Sequence, residues 1–268
     1  MKLLSLSLVL ASLLMARPAF AATLVVGSDI SHPPLESFSG QKMVGFDIDL
    51  VQAIGAKMNV PVKIENHPFG DLIPGVQSGR FSLAIAGIFD TRKREQSVDM
   101  VDYLYAGSGL LVLKGNPKHI FSLDSLCGMT VDLEAGTLQE TEARQQSADC
   151  QAQHLGEVHI LALGTDTASL AAFTSGKSDA HIADFPVVSY LARTLDGGTK
   201  YQVGGPPFKV VLYGIVVSKK NTALRDAVQK ALRELVADGT YDKLLTKWGL
   251  TQSALRTVPV NAGTLFQH

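Results

Sequence analysis

Cysteine is nearly absent from this chain: Cys127 and Cys150 are the only two in 268 residues. A scaffold stapled by several disulfides is therefore excluded. Neither charge is in excess, since 24 Lys and Arg face 25 Asp and Glu for a net charge of −1. No basic field exists to draw in nucleic acid or an anionic membrane, so small molecules and proteins are the expected partners. Repeats at solenoid spacing, low-complexity tracts and long single-sign charge blocks are also missing, which excludes an array architecture and an extended charged tail.

Long apolar runs are missing except at the start. Lys2 precedes an apolar stretch from Leu3 to Met15, and Ala19-Phe20-Ala21 places small residues where a signal peptidase cuts. This is the pattern of a secretory signal, with cleavage expected after Ala21. The stretch is too short to span a bilayer, and no Cys follows the cut to carry a lipid, so a soluble exported protein is expected. In an oxidising compartment the pair Cys127 and Cys150 reads as a disulfide worth roughly 3 kcal/mol in the chain-entropy model. His154 and His159 lie just beyond Cys150, but the spacing matches no structural zinc pattern, and no metal site is expected.

A mature chain of roughly 250 residues is one large domain or two ordinary ones. "LVVGS" reads as a strand, and "GFDIDLVQAIGAKMN" as a helix with Phe46, Leu50, Ile54 and Met58 on one face. "VPVKIEN", "GDLIPGVQSG" and "FSLAIAGI" continue as strand, helix and strand. After a turn at Gly115, Asn116 and Pro117 the alternation restarts. "MTVDLEA" is a strand, Gly136 and Thr137 open a helix to about Ser147, and "VHILAL" is a strand. Thr165 then caps "DTASLAAFTSG", and "DAHIAD" is a strand ending at Asp184.

Strands alternating with helices predict an α/β protein with parallel sheets, which bind ligands beyond the carboxyl ends of their strands. A long helix bearing Leu224, Val228, Leu232 and Leu235 and a shorter one, "YDKLLTKWG", have no sheet of their own and should pack back on the first unit. The expected architecture is two lobes, each a central sheet flanked by helices. Residues 22–107 and 212–268 form one, and 108–211 the other. Two crossings, near residues 106–110 and 209–213, join them, and a cleft lies between. The last stretch, "TVPVNAGTLFQH", is expected to be an ordered strap ending in a loose tail.

The loops at the strand ends hold the candidate site. "FDTRKRE" sets Arg92, Lys93 and Arg94 just after Thr91. If Thr91 caps a helix, three cations crowd an end that is already positive, and an anion is expected to arrive there. Arg94, with the backbone N–H groups of Thr137 and Leu138 at a helix start, makes a grip for a carboxylate. Asp184 is placed to take an ammonium. Asp29, His32, Phe69, Gly87 and Phe89 occupy neighbouring strand ends; Asp29 and the rings would suit a polar or cationic ligand side chain, and the rings would equally bury an apolar one. Plainer roles compete for each of them: Asp184 as a helix cap ahead of Phe185-Pro186, Asp29 as a turn residue, Phe69 and Phe89 as core.

"LVVGSDISHPPLE", "MVGFDIDLVQAIGAKM", "FGDLIPGVQSGRFSLAIAG", "DTRKREQSVDMVDYLYAG", "AGTLQE", "SGKSDAHIAD", "YGIVVSKKN" and "LRELVADGTYDKLLTKWG" resemble, in order, segments of periplasmic amino-acid-binding proteins that serve ABC importers. The resemblance implies a monomeric, hinge-closing receptor, not an enzyme, that needs no cofactor and delivers an amino acid to a permease in the inner membrane. It implies Arg94 on the α-carboxylate, Asp184 on the α-ammonium, and backbone donors at Thr137 and Leu138. His32 falls where an aromatic usually stacks on the ligand, and Phe69 opposite it. The chain departs from the pattern in having Ala86, Gly87 and Phe89 before the Arg and Leu138 in place of a frequent Thr, so hydroxyl contacts are lost there. Related folds include cyclohexadienyl dehydratases, for which His32, Glu36 or Glu140 could serve as proton donor, and a receptor that signals to a membrane kinase is a third reading.

Overall fold

A computed structural model describes residues 23–263. The expected export signal, its expected cut after Ala21 and the end of the C-terminal tail lie outside these residues. The chain opens with β1 (Leu24–Ser28), a small hairpin of β2 (Ser37–Ser39) and β3 (Lys42–Val44), and α1 (Phe46–Met58). It continues through β4 (Val62–Asn66), α2 (Phe69–Ser78), β5 (Leu83–Ala84), α3 (Arg92–Glu95) and a long strand, β6 (Val98–Leu113). The alternation resumes with β7 (Thr130–Glu134), α4 (Leu138–Ala152), β8 (His159–Leu163), α5 (Asp166–Thr174), β9 (Ala180–Asp184) and α6 (Phe185–Thr194). Last come β10 (Tyr201–Val203), β11 (Phe208–Ser218), α7 (Thr222–Ala237) and α8 (Thr240–Trp248).

The main strands join in the order β4-β1-β5-β11-β6-β9-β7-β8, with β10 paired to β6. β4, β1 and β5 run parallel at one end, and β9, β7 and β8 run parallel at the other. Between them β6 and β11 form an antiparallel pair, from Ser218 opposite Val98 to Phe208 opposite Ser108, with register shifts at Phe208/Val211 and Tyr213/Gly214. Almost every residue of β6 is buried. A strand covered on both faces carries no alternation of polar and apolar residues.

Helix packing follows the apolar stripes. Phe46, Leu50 and Ile54 of α1 are fully buried, and Asn59 ends the helix in a left-handed conformation. Val228, Leu232 and Leu235 of α7 are buried too, and α7 and α8 pack against α1, as their lack of a sheet predicts. Each large aliphatic side chain removed from water contributes about 1.5–3 kcal/mol, so these stripes hold the C-terminal helices in place. A separate cluster of Leu110, Val131, Leu133, Ala143, Cys150 and Ile182 fills the β7–β9 end. At its edge Cys127 and Cys150 are bridged, with Cα atoms 5.4 Å apart.

Three expected elements differ. The strand read over "FSLAIAGI" is ordered only at Leu83–Ala84, because Gly87 turns at φ 53° and gives its N–H to the Asp47 carboxylate rather than to a ladder. α4 runs on to Ala152 instead of stopping near Ser147. Thr91 does cap a helix, but α3 is only four residues long, too short to carry a macrodipole of any size. Crowding at a helix end therefore does not explain the three cations. Arg92 and Lys93 are exposed, and Arg94 alone is partly buried.

Candidate functional site

Carboxyl ends of strands from both groups converge on a narrow cleft. His32, Phe69, Gly87, Phe89, Arg94, Thr137, Leu138 and Asp184 all line it. Asp29 does not: its carboxylate accepts the backbone N–H of Phe69 at 2.9 Å, and so holds the first residue of α2 in place.

Arg94 lies against one wall. Its guanidinium donates to the Phe89 carbonyl at 2.8 Å and rests over the Phe69 ring, 5.4 Å from the centroid. Burial lowers its pKa to about 10, opposed by the charges of Asp184 and Asp90, so it remains a cation at neutral pH. Among the described residues no carboxylate pairs with it directly. A fork of donors with a single carbonyl partner is free to receive a carboxylate. Phe89 owes its place to packing: it stacks on Tyr213 at 5.3 Å. Behind it the rings of Tyr213, Tyr103 and Phe46 continue as a stacked column through β11, β6 and α1.

At Gly87 a Cβ would come within 3.2 Å of an Asp184 oxygen and 3.0 Å of Leu35, so at this left-handed turn glycine avoids both backbone strain and pressure on the cleft wall. The start of α4 forms another wall. Thr137 accepts the Glu140 N–H at 3.3 Å and donates to the Glu134 carbonyl at 2.8 Å. The N–H groups of Leu138 and Gln139 have no partner within the helix and stand at its cleft end.

Asp184 ends β9 at the cap position of α6, yet its side chain makes no capping bond. Its carboxylate instead accepts from the Gln139 amide and the Tyr213 hydroxyl. Burial raises its pKa to about 6, opposed by the His32 charge and by these two bonds.

Two further carboxylates line the cleft, Glu134 at the end of β7 and Asp166 at the start of α5. His32 reaches them from the β1 side, its Nε2 3.0 Å from Glu134 and 3.9 Å from Asp166. Burial is the largest influence on the imidazole and disfavours its charge, but Asp166, the Glu134 bond and Asp184 together raise its pKa to about 10. Burial raises Glu134 to about 7, opposed by His32. Asp166 is held from behind by fully buried His181, whose Nε2 is 3.4 Å away and whose Nδ1 is 2.6 Å from Asp132. Both residues follow strand ends, the same signal that marks Arg94 and Asp184. Local sequence pattern does not set them apart, because Glu134 reads as strand and Asp166 as the first residue of a Thr165-capped helix. Glu140 stands apart from the cleft: its carboxylate accepts from the Gly136 N–H, which lowers its pKa, and from Arg144.

The sequence pattern of the bacterial extracellular solute-binding proteins, family 3, matches residues 24–251. The chain belongs to that family. The histidine-binding periplasmic protein of Escherichia coli (strain K12) is 32% identical over 254 residues, covering 91% of this chain and 95% of its own. An ancestral arginine-binding protein bound to arginine is 34% identical and superimposes with a TM-score of 0.78 over 85% of this chain and 99% of its own. The ancestral amino acid-binding protein AncCDT-1, described as a precursor of cyclohexadienyl dehydratase, is 29% identical with a TM-score of 0.75, over 84% of this chain and 95% of its own. The fold is that of these two-lobed binding proteins, with the cleft at the strand ends.

Proposed function

We propose that this family-3 binding protein is a periplasmic receptor that captures an L-amino acid with a cationic side chain and presents it to an ABC permease. The observation that carries this reading is the division of charge in the cleft. Arg94 brings donors without a carboxylate partner to one wall, while Asp184, Glu134 and Asp166 bring carboxylates to the other. Arg94 and the α4 N–H groups bind the α-carboxylate, and Asp184 takes the α-ammonium. At the far end the carboxyls of Glu134 and Asp166, with Asp132 behind them, face the imidazoles of His32 and His181, three acids to two bases, which leaves that end with negative charge in excess. A guanidinium or ammonium on the ligand side chain neutralises it. Relatives named for arginine and histidine support the same class.

Residues 22–107 with 212–268 form one lobe, 108–211 the other, and closure is favoured because only the closed form makes both sets of contacts. The receptor acts as a monomer without a cofactor. A thermal-shift screen tests the ligand class. A ligand at a thousand times its Kd stabilises by about 4 kcal/mol, which for a chain of this size raises Tm by about 8–16 °C. Arginine, lysine or histidine should do so, and citrulline, which has arginine's shape without its charge, should bind at least about tenfold more weakly. Equal shifts with citrulline and arginine would refute the cationic class.

The His32–Glu134 pair also gives the enzyme reading a test, since two titrating groups 3.0 Å apart in a cleft can act as acid and base. Steady formation of aromatic product from prephenate or arogenate would replace the receptor reading.

A further inference from the structure

Behind the Arg94 loop, on the side away from the cleft, lie two fully buried aspartates, Asp90 and Asp102. The C-terminal strap runs over them. Val260 bridges to Val101, and Asn261 exchanges two bonds with Met100, its N–H to the Met100 carbonyl at 2.9 Å and its side-chain oxygen to the Met100 N–H at 2.8 Å. The next two N–H groups go to the aspartates: Ala262 to Asp102 at 3.2 Å and Gly263 to Asp90 at 2.9 Å. Contact at the last of these is so close that a side chain on Gly263 would lie 2.2 Å from the Asp90 carbonyl.

Each aspartate keeps one buried oxygen, Oδ1, that no backbone or neutral side-chain donor satisfies, and the adjacent N–H groups of Ala262 and Gly263 hold the two carboxyls side by side, with the unpartnered Oε1 of Glu95 buried nearby. Two such carboxyls can satisfy each other's free oxygens only by a bond between them, which requires that one of them carry a proton. Asp90 is also the residue after Phe89, whose carbonyl holds the Arg94 guanidinium, and its own N–H is bonded to Leu212 on β11 at 2.8 Å. The strap, the aspartate pair and the Arg94 loop are thus one connected layer.

We propose that residues 260–263 are a positioning element for the Arg94 loop, fastened by one proton shared between Asp90 and Asp102, so that loss of the proton releases the strap and weakens ligand binding. The inference rests on Arg94 as the carboxylate-binding residue. The groups facing the pair are Glu95 on α3, which adds negative charge, and Arg94, which adds positive charge. Tyr105 packs beside Ala262. Burial raises Asp90 to about 7 and Asp102 to about 9, so one proton is held at neutral pH and given up in alkali. Two anions then face each other in a site closed to water, and the strap is what can move.

The test compares wild type with Asp90→Asn and with a chain ending at Pro259. An asparagine amide can donate to Asp102 and still accept from Gly263, so this variant keeps the arrangement without the proton. Amide hydrogen exchange, corrected for intrinsic rates, needs no ligand. In wild type, protection at Ala262, Gly263 and residues 89–95 should fall at least about tenfold between pH 7 and pH 9.5, whereas Asp90→Asn should hold it. The shortened chain should lose protection at 89–95 already at pH 7. With L-arginine as probe, the ratio of wild-type to Asp90→Asn Kd should rise by at least about fivefold over the same range, the ligand's own titration cancelling in the ratio. Equal pH dependence in the two proteins, or native protection of 89–95 in a folded shortened chain, would overturn the proposal. Failure of Arg94→Ala to weaken L-arginine binding would instead strike at the reading on which it rests.

Discussion

Replacing Arg94 with alanine removes the donor fork from the cleft and leaves the ligand's α-carboxylate facing only backbone N–H groups at the start of α4. Truncating one partner of a desolvated, hydrogen-bonded charge pair costs about 2–5 kcal/mol, equivalent to about 30-fold to several-thousand-fold in Kd. The expected loss is at least about a hundredfold. Stability should change little. Among the described residues the guanidinium makes one bond, to the Phe89 carbonyl, and one ring contact, with Phe69. Together these are worth about 1–2 kcal/mol, and the cost of burying the charge, visible in its lowered pKa, opposes them. Tm should therefore move by only a few degrees. Isothermal titration of both proteins with L-arginine, alongside thermal unfolding, measures the two effects separately. A variant that binds within about fivefold of wild type would refute the carboxylate grip, and one that unfolds at room temperature would show that Arg94 is structural.

Acidification gives a second test. Asp184 and Glu134 have pKa values raised by burial to about 6 and about 7, and both are needed as anions, so affinity should fall by up to about tenfold per pH unit between 7 and 6, where Glu134 titrates, and by up to about a hundredfold per unit below 6, where both do. The sign for stability is opposite. A carboxyl whose folded pKa is raised contributes stability that is complete below the unfolded pKa and lost as pH rises through the folded value, so these groups favour the fold as pH drops from 7 to 5. Binding that weakens while Tm holds or rises distinguishes this from acid unfolding, and Asp184→Asn should both weaken binding at pH 7 and flatten the acid limb. The disulfide supplies a third. Replacing Cys127 and Cys150 together with serine should cost roughly 3 kcal/mol, read as a drop in Tm of about 6–12 °C, with ligand affinity unchanged because the bridge lies in the β7–β9 core away from the cleft. A stable double variant that fails to bind would contradict that separation.

The parts of the site legible in the sequence were those whose residue types are unusual for their surroundings. Arg94 follows an apolar run, and Thr137 opens a helix after a strand. Asp184 ends a buried strand, where a cap was the competing role; the side chain bonds across to Tyr213 and Gln139 instead, which no local pattern encodes. Asp29 shows the limit from the other side: its type and place suited a ligand contact, yet its carboxylate holds the Phe69 N–H. Glu134 and Asp166 stand at strand ends like Arg94 but matched local templates too well to stand out. The long antiparallel pair β6–β11 was hidden because burial on both faces removes the period-two alternation by which strands are recognised. Asp90 and Asp102 read as ordinary loop and strand-edge polar residues. Only the return of the chain more than 150 positions later makes them the anchor of the strap.

A crystal structure of the protein saturated with L-arginine tests the bridging of the cleft most directly. The map should show the Arg94 guanidinium on the ligand α-carboxylate, Asp184 on the α-ammonium, and the side-chain cation toward Glu134 and Asp166. A ligand bound in the reverse sense, or an Arg94 still bonded only to the Phe89 carbonyl, would contradict it.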